Sequence, residues 1–189
     1  MLLNFGTYNI EPIQEKDAWK LCDFVISNAE RLKRYFPKTL EQNSTPDIAA
    51  IFVSKKVKQY SANQEFLFKL TEKEHRTIIG LVYIKNTDWN KKQAELAYCI
   101  GYQHEGKGYI TKSVKGLSTY AFDHLGLTTL QIIVHKTNMG SVKVARNNGF
   151  TWQKTLLQEH TPPGEAPLDM ELYELRNNSP EHLPRTSRF

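Results

Sequence analysis

Residues 95–134 constrain the fold of this 189-residue chain more than any other stretch. A strand-like run, Glu95-Leu96-Ala97-Tyr98-Cys99-Ile100, leads into the polar loop Gln103-His104-Glu105-Gly106-Lys107-Gly108. Helical spacing follows at Ile110, Val114, Leu117, Ala121 and Leu125, and then a second strand-like run from Leu130 to Val134. A strand, a helix and a strand in that order predict a parallel pair joined by a right-handed crossover.

The flanks extend this unit. Phe66-Leu67-Phe68-Lys69-Leu70 and Ile78 to Ile84 are strand-like and separated by polar turns at 71–77 and 85–93, which suit an antiparallel meander. Downstream come a helix (Ser141 to Asn148) and two strands (Phe150 to Leu157, Leu168 to Glu174). Upstream, Tyr8 to Ile13 reads as a short strand, and Asp17 as the N-cap of a helix carrying Leu21, Phe24 and Val25 inward. A second helix starts at Thr45-Pro46, cap then proline, with Ile48, Ile51, Phe52 and Val57 as its apolar side. The expected class is α/β (α+β), with a mixed, mostly antiparallel sheet of about six to seven strands flanked by helices.

The length suits one domain, residues 1–176, followed by a polar, proline-containing tail at 177–189 read as loose. No apolar run approaches the roughly 18 residues of a membrane span. The first residues lack the features of a secretory signal, so a cytoplasmic location without a membrane partner is expected. Cys22 and Cys99 have no metal-type spacing, which predicts reduced thiols and no metal. A formal charge of +5 favours anionic partners such as a phosphorylated cofactor or a ribosome surface, but is too small for dedicated nucleic-acid binding. A homodimer is among the assemblies open to such a chain.

Gly106-Lys107-Gly108 lies before a helix, where free backbone N–H groups and the positive helix end favour phosphate oxygens. Taken alone it is a weak signal, since a glycine pair before a helix is more often a plain turn. Neither G-x-x-x-x-G-K-[ST] nor G-x-G-x-x-G is present, which excludes the usual triphosphate and dinucleotide loops. Context carries more. Glu95 to Ile100 followed by Gln103-x-x-Gly106-x-Gly108 and Thr111 resembles motif A of the GNAT superfamily of acetyltransferases, and Asn138-Met139-Gly140-Ser141, continuing to Asn148-Gly149-Phe150, resembles the family's N-x-x-S helix ending in G-F. The resemblance covers residues 5–175 in element order, its specific motifs 94–150.

That resemblance implies a GNAT-like domain whose two parallel central strands splay apart, with acetyl-coenzyme A as cosubstrate. Backbone atoms of Cys99, Ile100 and Gly101 would contact pantetheine. The amides of His104, Glu105, Gly106, Lys107, Gly108, Tyr109, Ile110 and Thr111 would wrap the pyrophosphate, and the Asn138 side chain would reach the far end of the cofactor arm. Within the superfamily the chain looks most like the Rim-type branch, which acetylates N-termini of ribosomal proteins. Residues 28–37 are similar to that branch's aromatic-proline stretch, with Tyr35-Phe36 where tryptophan-leucine is usual.

Acetyl transfer needs a neutral amine, a polarised carbonyl and a stabilised thiolate leaving group, and no covalent enzyme intermediate. An α-amine of pKa about 7.8 costs roughly 1 kcal/mol to deprotonate at pH 7, whereas a lysine at about 10.4 costs over 4. Alternation places Glu95 on one face with Ala97 and Cys99, which nominates it as the base acting through water; the plain alternative is a strand-end charge paired with a lysine. Asp88 and Glu159 are further carboxylates whose reach the sequence does not reveal. Ser141 matches the family serine that donates to the coenzyme A sulfur, with helix capping as its structural alternative. Cys99 is expected to be a buried thiol and His135 a structural histidine. Tyr35, Phe36 and Trp89 are candidate walls of an acceptor pocket. The expected activity is direct acetylation of an amine, a protein N-terminus first and a polyamine or aminoglycoside second, with a non-catalytic acyl-coenzyme A sensor as the rival class.

Overall fold

Apolar side chains along the central strands alternate between two buried layers, and this alternation sets the architecture. The computed structural model describes residues 2–177. The chain runs β1 (Leu3–Asn4), β2 (Tyr8–Pro12), α1 (Ala18–Ser27), α2 (Ala29–Leu32), α3 (Pro37–Glu41), α4 (Pro46–Ser61), β3 (Phe66–Glu72), β4 (Ile78–Asp88) and β5 (Gln93–Ile100). It continues through α5 (Tyr109–Asp123), β6 (Thr129–Val134), α6 (Met139–Asn147), β7 (Thr151–His160) and β8 (Leu168–Arg176). One eight-stranded sheet has the order β1-β2-β3-β4-β5-β6-β8-β7. The strand beyond the expected six to seven is β1, two residues paired with β2 and too short to read from a pattern.

Phe66, Phe68, Val82, Ile84, Leu96 and Ile132 are buried in one layer with α5 and α6. Leu67, Leu81, Tyr83 and Cys99, one position out of phase, fill the other with α1 and α4. Both faces of the central strands are therefore covered, and each fully buried side chain of this size contributes about 1.5–3 kcal/mol.

All neighbouring strands are antiparallel except β5 and β6. That parallel pair is short: Gln93↔Thr129, Ala94↔Leu130 and Glu95↔Gln131. Beyond it β5 stays on β4 as far as Ile100, and β6 stays on β8 as far as Val134. Each strand is held by its outer neighbour, so the sheet itself splits and Tyr98 to Ile100 keep one open edge.

In the N-terminal third the structure differs from the sequence pattern in three respects. The α4 helix begins as read, with the Thr45 hydroxyl oxygen accepting from Ile48 N–H at 3.4 Å, but it buries Ala49, Phe52 and Val53 and leaves Ile48 and Ile51 exposed. Asp17 holds the N-cap position of α1 as read, but its side chain makes no cap hydrogen bond. Its carboxylate closes the preceding 3₁₀ turn by accepting from Gln14 N–H at 2.8 Å and meets Lys69 Nζ at 2.6 Å, with both side chains buried. The short α2 and α3 escaped the pattern because neither spans two full turns. At the other end, Asn177 N–H donates to Thr128 C=O at 2.9 Å; the rest of the expected tail, 178–189, lies outside the described residues. No helix among the described residues is long and apolar enough to cross a membrane.

Breaking a buried pair on one side strands the other charge. Lys69→Met should therefore lower stability by about 3–5 kcal/mol, and adding Asp17→Leu should recover most of that loss. Urea unfolding of the two variants measures it, and a loss below about 1 kcal/mol for Lys69→Met would mean the pair behaves like an exposed one.

Candidate active site

A cleft of about 1310 Å³ runs from the loop after β5, along the split between β5 and β6, to α3 and α4. One hydrogen bond fixes which backbone groups face it. Gly101 N–H donates to Ile79 C=O at 2.8 Å, and Ile100 lies opposite Gly80 in the β4–β5 register. Successive residues turn their N–H and C=O groups to opposite edges. Those of Ile100 and Tyr98 thus face the open edge, whereas Cys99 and Gly101 are committed to β4. Of the three residues expected to make backbone contacts, only Ile100 turns its N–H and C=O to the open edge, although Cys99 also lines the cleft.

The loop shows a similar division. A 3₁₀ turn at Tyr102–His104 uses His104 N–H on Gly101 C=O (2.9 Å) and Glu105 N–H on Tyr102 C=O (3.4 Å). These two amides are spent. Among the described residues, the N–H groups of Gly106, Lys107, Gly108, Tyr109, Ile110 and Thr111 have no protein acceptor. Gly106 and Gly108 have φ of +69° and +74°, and no atom lies within 4 Å of where a Cβ would be. Glycine is needed there for the dihedral, which costs another residue about 1–2 kcal/mol, and the space in front stays open. The free amides crown the positive end of the 15-residue α5. The His104 ring lies 6.2 Å from that of Tyr109, its Nδ1 is buried without a partner, and burial holds its pKa below the ordinary histidine value. Glu105 turns its carboxylate away to an ion pair with Arg31, tying the loop to α2.

The cleft carboxylates sort by pairing. Glu95 shares a face with Ala97 and Cys99 as expected, but Lys85 Nζ is 3.1 Å from its Oε1 and Asn86 Nδ2 donates to its Oε2 at 2.8 Å. Glu65 is paired with Lys56 at 2.6 Å. Asp88 is held in the β4–β5 turn by Lys91 N–H at 3.0 Å, a bond that lowers its pKa, and does not line the cleft. Glu159, near the end of β7, does line it and has no cation partner among the described residues. Its neighbour His160 is anchored, with Nε2 2.7 Å from Arg34 C=O and its ring stacked on Tyr35 at 5.9 Å.

On the opposite wall Asn138 caps α6, its Oδ1 accepting Ser141 N–H at 3.2 Å. Capping therefore belongs to Asn138, and the Ser141 hydroxyl, which lines the cleft, has no hydrogen-bond partner among the described residues. Tyr98 Oη donates to Ser141 C=O at 3.1 Å. His135 is half-buried on the cleft wall, with Nδ1 2.7 Å from Thr137 Oγ1. Tyr35 and Phe36 line the cleft, Phe36 stacking on Tyr83 at 6.3 Å. Trp89 does not: it sits in the β4–β5 turn, donating to Asn63 C=O at 3.0 Å with its ring edge-on to Phe66. No group of three or more His, Cys, Asp or Glu that could hold a metal occurs among the described residues.

A sheet split between two parallel strands, with a glycine loop and a helix N-terminus at its mouth, is the architecture of an N-acetyltransferase. Residues 8–151 match the family model for the acetyltransferase (GNAT) domain, and the chain belongs to that family of acetyl-coenzyme A-dependent N-acetyltransferases. It is 28% identical over 141 residues to YdaF of Bacillus subtilis, covering 75% of this chain and 76% of that one; the name of YdaF gives ribosomal N-acetylation as a provisional assignment. The fold is that of the ribosomal-protein-S5-alanine acetyltransferase from Vibrio fischeri (TM-score 0.88, 22% identity, 94% and 97% of the two chains covered). It is also that of the spermidine N-acetyltransferase from Vibrio cholerae, solved with coenzyme A and spermine (TM-score 0.75, 18% identity, 91% and 96% covered).

Burial pushes the Cys99 thiol up to about 12 and raises that of Cys22. At pH 8 the Cys99 thiolate fraction is then on the order of 10⁻⁴, too small for a nucleophile. Neither cysteine should react with an aromatic disulfide reagent in the native protein, and both should react in denaturant. Fast native labelling of one thiol would contradict this.

Proposed function

We propose that the chain binds acetyl-coenzyme A along the split and transfers its acetyl group to the α-amine of a protein N-terminus. The observation carrying this reading is the continuity of unpaired backbone: the open edge at Tyr98 and Ile100 leads to the free amides of Gly106 to Thr111. The chemistry of these groups fits the cofactor. Strand-like donors and acceptors suit the two amides of pantetheine, and six convergent N–H groups at a helix N-terminus suit its pyrophosphate. When bound, the cofactor supplies an acetyl thioester. The chain's own residues do the rest.

Glu159 is the base in this proposal, in place of Glu95. A carboxylate already bonded to Lys85 and Asn86 is a poor proton acceptor, whereas Glu159 is unpaired among the described residues and faces the cleft beside Tyr35 and His160. It attracts the acceptor ammonium and takes its proton through water. Ser141, with its hydroxyl unused by the helix cap, donates to the departing sulfur as negative charge develops there. Tyr35 and Phe36 form part of the acceptor wall.

The charge pattern favours an α-amine over a polyamine. Related proteins act on ribosomal-protein N-termini and on spermidine. A polycation needs several free carboxylates along its length, yet in this cleft Glu65, Glu95 and Glu105 are each paired with a lysine or arginine. One free carboxylate matches one ammonium.

Gly108→Asp should abolish acetyl-coenzyme A binding, since it adds strain at a positive φ and a negative charge where phosphate is proposed to sit. Calorimetry on the folded variant tests it; unchanged affinity removes the cofactor assignment.

With N-terminal peptides as acceptors, Glu159→Gln should lower kcat/KM by about 10²-fold at pH 7, a deficit that shrinks as pH rises above the α-amine pKa of about 7.8 and the amine becomes neutral unaided. Glu95→Gln should change little. Peptides with a blocked N-terminus and free lysines should be poor substrates at neutral pH. Faster turnover of such peptides, or of spermidine, would replace the acceptor assignment.

A further inference from the structure

Tyr98 has no part in the chemistry above, yet it makes an unusual connection. Its wall of the cleft, β5, parts from the other wall after Glu95, and α6, which follows β6 directly, belongs to the other wall. Among the described residues, one side-chain hydrogen bond joins β5 to α6: Tyr98 Oη to Ser141 C=O at 3.1 Å. The serine peptide is therefore held at both ends, its N–H by Asn138 Oδ1 and its C=O by Tyr98. What remains free is the Ser141 hydroxyl.

Packing does not explain the phenol. The Tyr98 ring leans on the α5–α6 layer as a partly buried side chain, a task phenylalanine performs equally well. Nor is Tyr98 placed to be a proton donor to sulfur, because its proton is directed at the Ser141 carbonyl and burial raises its pKa well above that of an ordinary tyrosine. A carbonyl in a helix keeps a second lone pair for such a bond.

We propose that Tyr98 is a positioning residue: its hydroxyl sets the span between β5 and the first turn of α6, and so aims the Ser141 hydroxyl at the open edge of β5. This rests on the proposed role of Ser141. A displacement of about 1 Å at a reacting group can cost up to about 10²-fold in rate, so one well-placed hydrogen bond across an otherwise unbridged split is enough to matter.

The test is a double-mutant cycle of Tyr98→Phe and Ser141→Ala, reading kcat, acetyl-coenzyme A affinity and melting temperature, together with amide hydrogen exchange in the first turn of α6. Tyr98→Phe should lower kcat by about tenfold and leave acetyl-coenzyme A affinity within about twofold. In the Ser141→Ala background it should cost nothing further, because both changes disable the same group. Its effect should grow with pH in parallel with that of Ser141→Ala, as thiolate departure becomes a larger part of the barrier. Exchange at Ser141 and Val142 should quicken. Additive losses, a lowered melting point with unchanged kcat, or unchanged exchange each overturn the proposal. If Ser141→Ala alone leaves the rate intact, the donor assignment and the role of Tyr98 fall together, while acetyl transfer by the unsubstituted protein still stands. If the unsubstituted protein acetylates no amine, the proposed function fails separately, and the exchange measurement still decides whether Tyr98 holds α6.

Discussion

The cleft of this protein depends on an interrupted row of hydrogen bonds. The β5–β6 pair holds for three residues on each strand and then opens, although each strand remains fully bonded to its outer neighbour. Buried backbone N–H and C=O groups left without partners cost about as much as lost hydrogen bonds, so such a gap persists only where something else meets them. An extended amide-bearing ligand can meet them there. The covering layers make the split affordable: α5 and α6 pack on one face of the sheet and α1 and α4 on the other, and neither layer relies on the missing bonds.

Electrostatics divides the same cleft into two regions. At the mouth, the positive end of α5 and its free amides attract an anion, with Glu105 neutralised by Arg31 so that it does not oppose this. Deeper in, Lys56 and Lys85 neutralise Glu65 and Glu95, leaving Glu159 as the unpaired carboxylate that faces the cleft among the described residues. Side-chain pairing thus leaves one uncompensated carboxylate on a wall that also carries Lys38, Lys55 and Lys143. The same division assigns Glu95 to holding β4 against β5, since Lys85 and Glu95 are register partners across those strands.

What was legible and what was not follow physical lines. Phe66 to Leu70, Ile78 to Ile84 and Glu95 to Ile100 were readable as strands because alternation is imposed locally by the backbone, and Thr45-Pro46 because a cap acts within three residues. The inward face of α4 was misread by one position: Ile48 and Ile51 are as apolar as Phe52, and only the helices packed beside them select Ala49 and Val53 instead. Trp89 was unreadable for a similar reason, since its position in a hairpin turn beside Asn63 and Phe66 depends on how β3, β4 and α4 assemble. The edge of β5 that each peptide group faces was also beyond the sequence, because Gly101 is committed to Ile79 by the antiparallel register.

The sequence by itself determined the element order, the positive-φ loop at Gly106 and Gly108, the helix start behind it and the N-x-x-S helix capped by Asn138. These are local: each is set by dihedral limits, caps and periodicity acting over a few residues. The tertiary structure alone decided which carboxylate stands free and what Ser141 faces. Inserting β8 between β6 and β7 carries Glu159 to the segment holding Tyr35, and splitting β5 from β6 brings Tyr98 across to the carbonyl of a residue 43 positions away. Such meetings are set by strand order and register, which bring distant residues together through contacts that no short window of sequence contains.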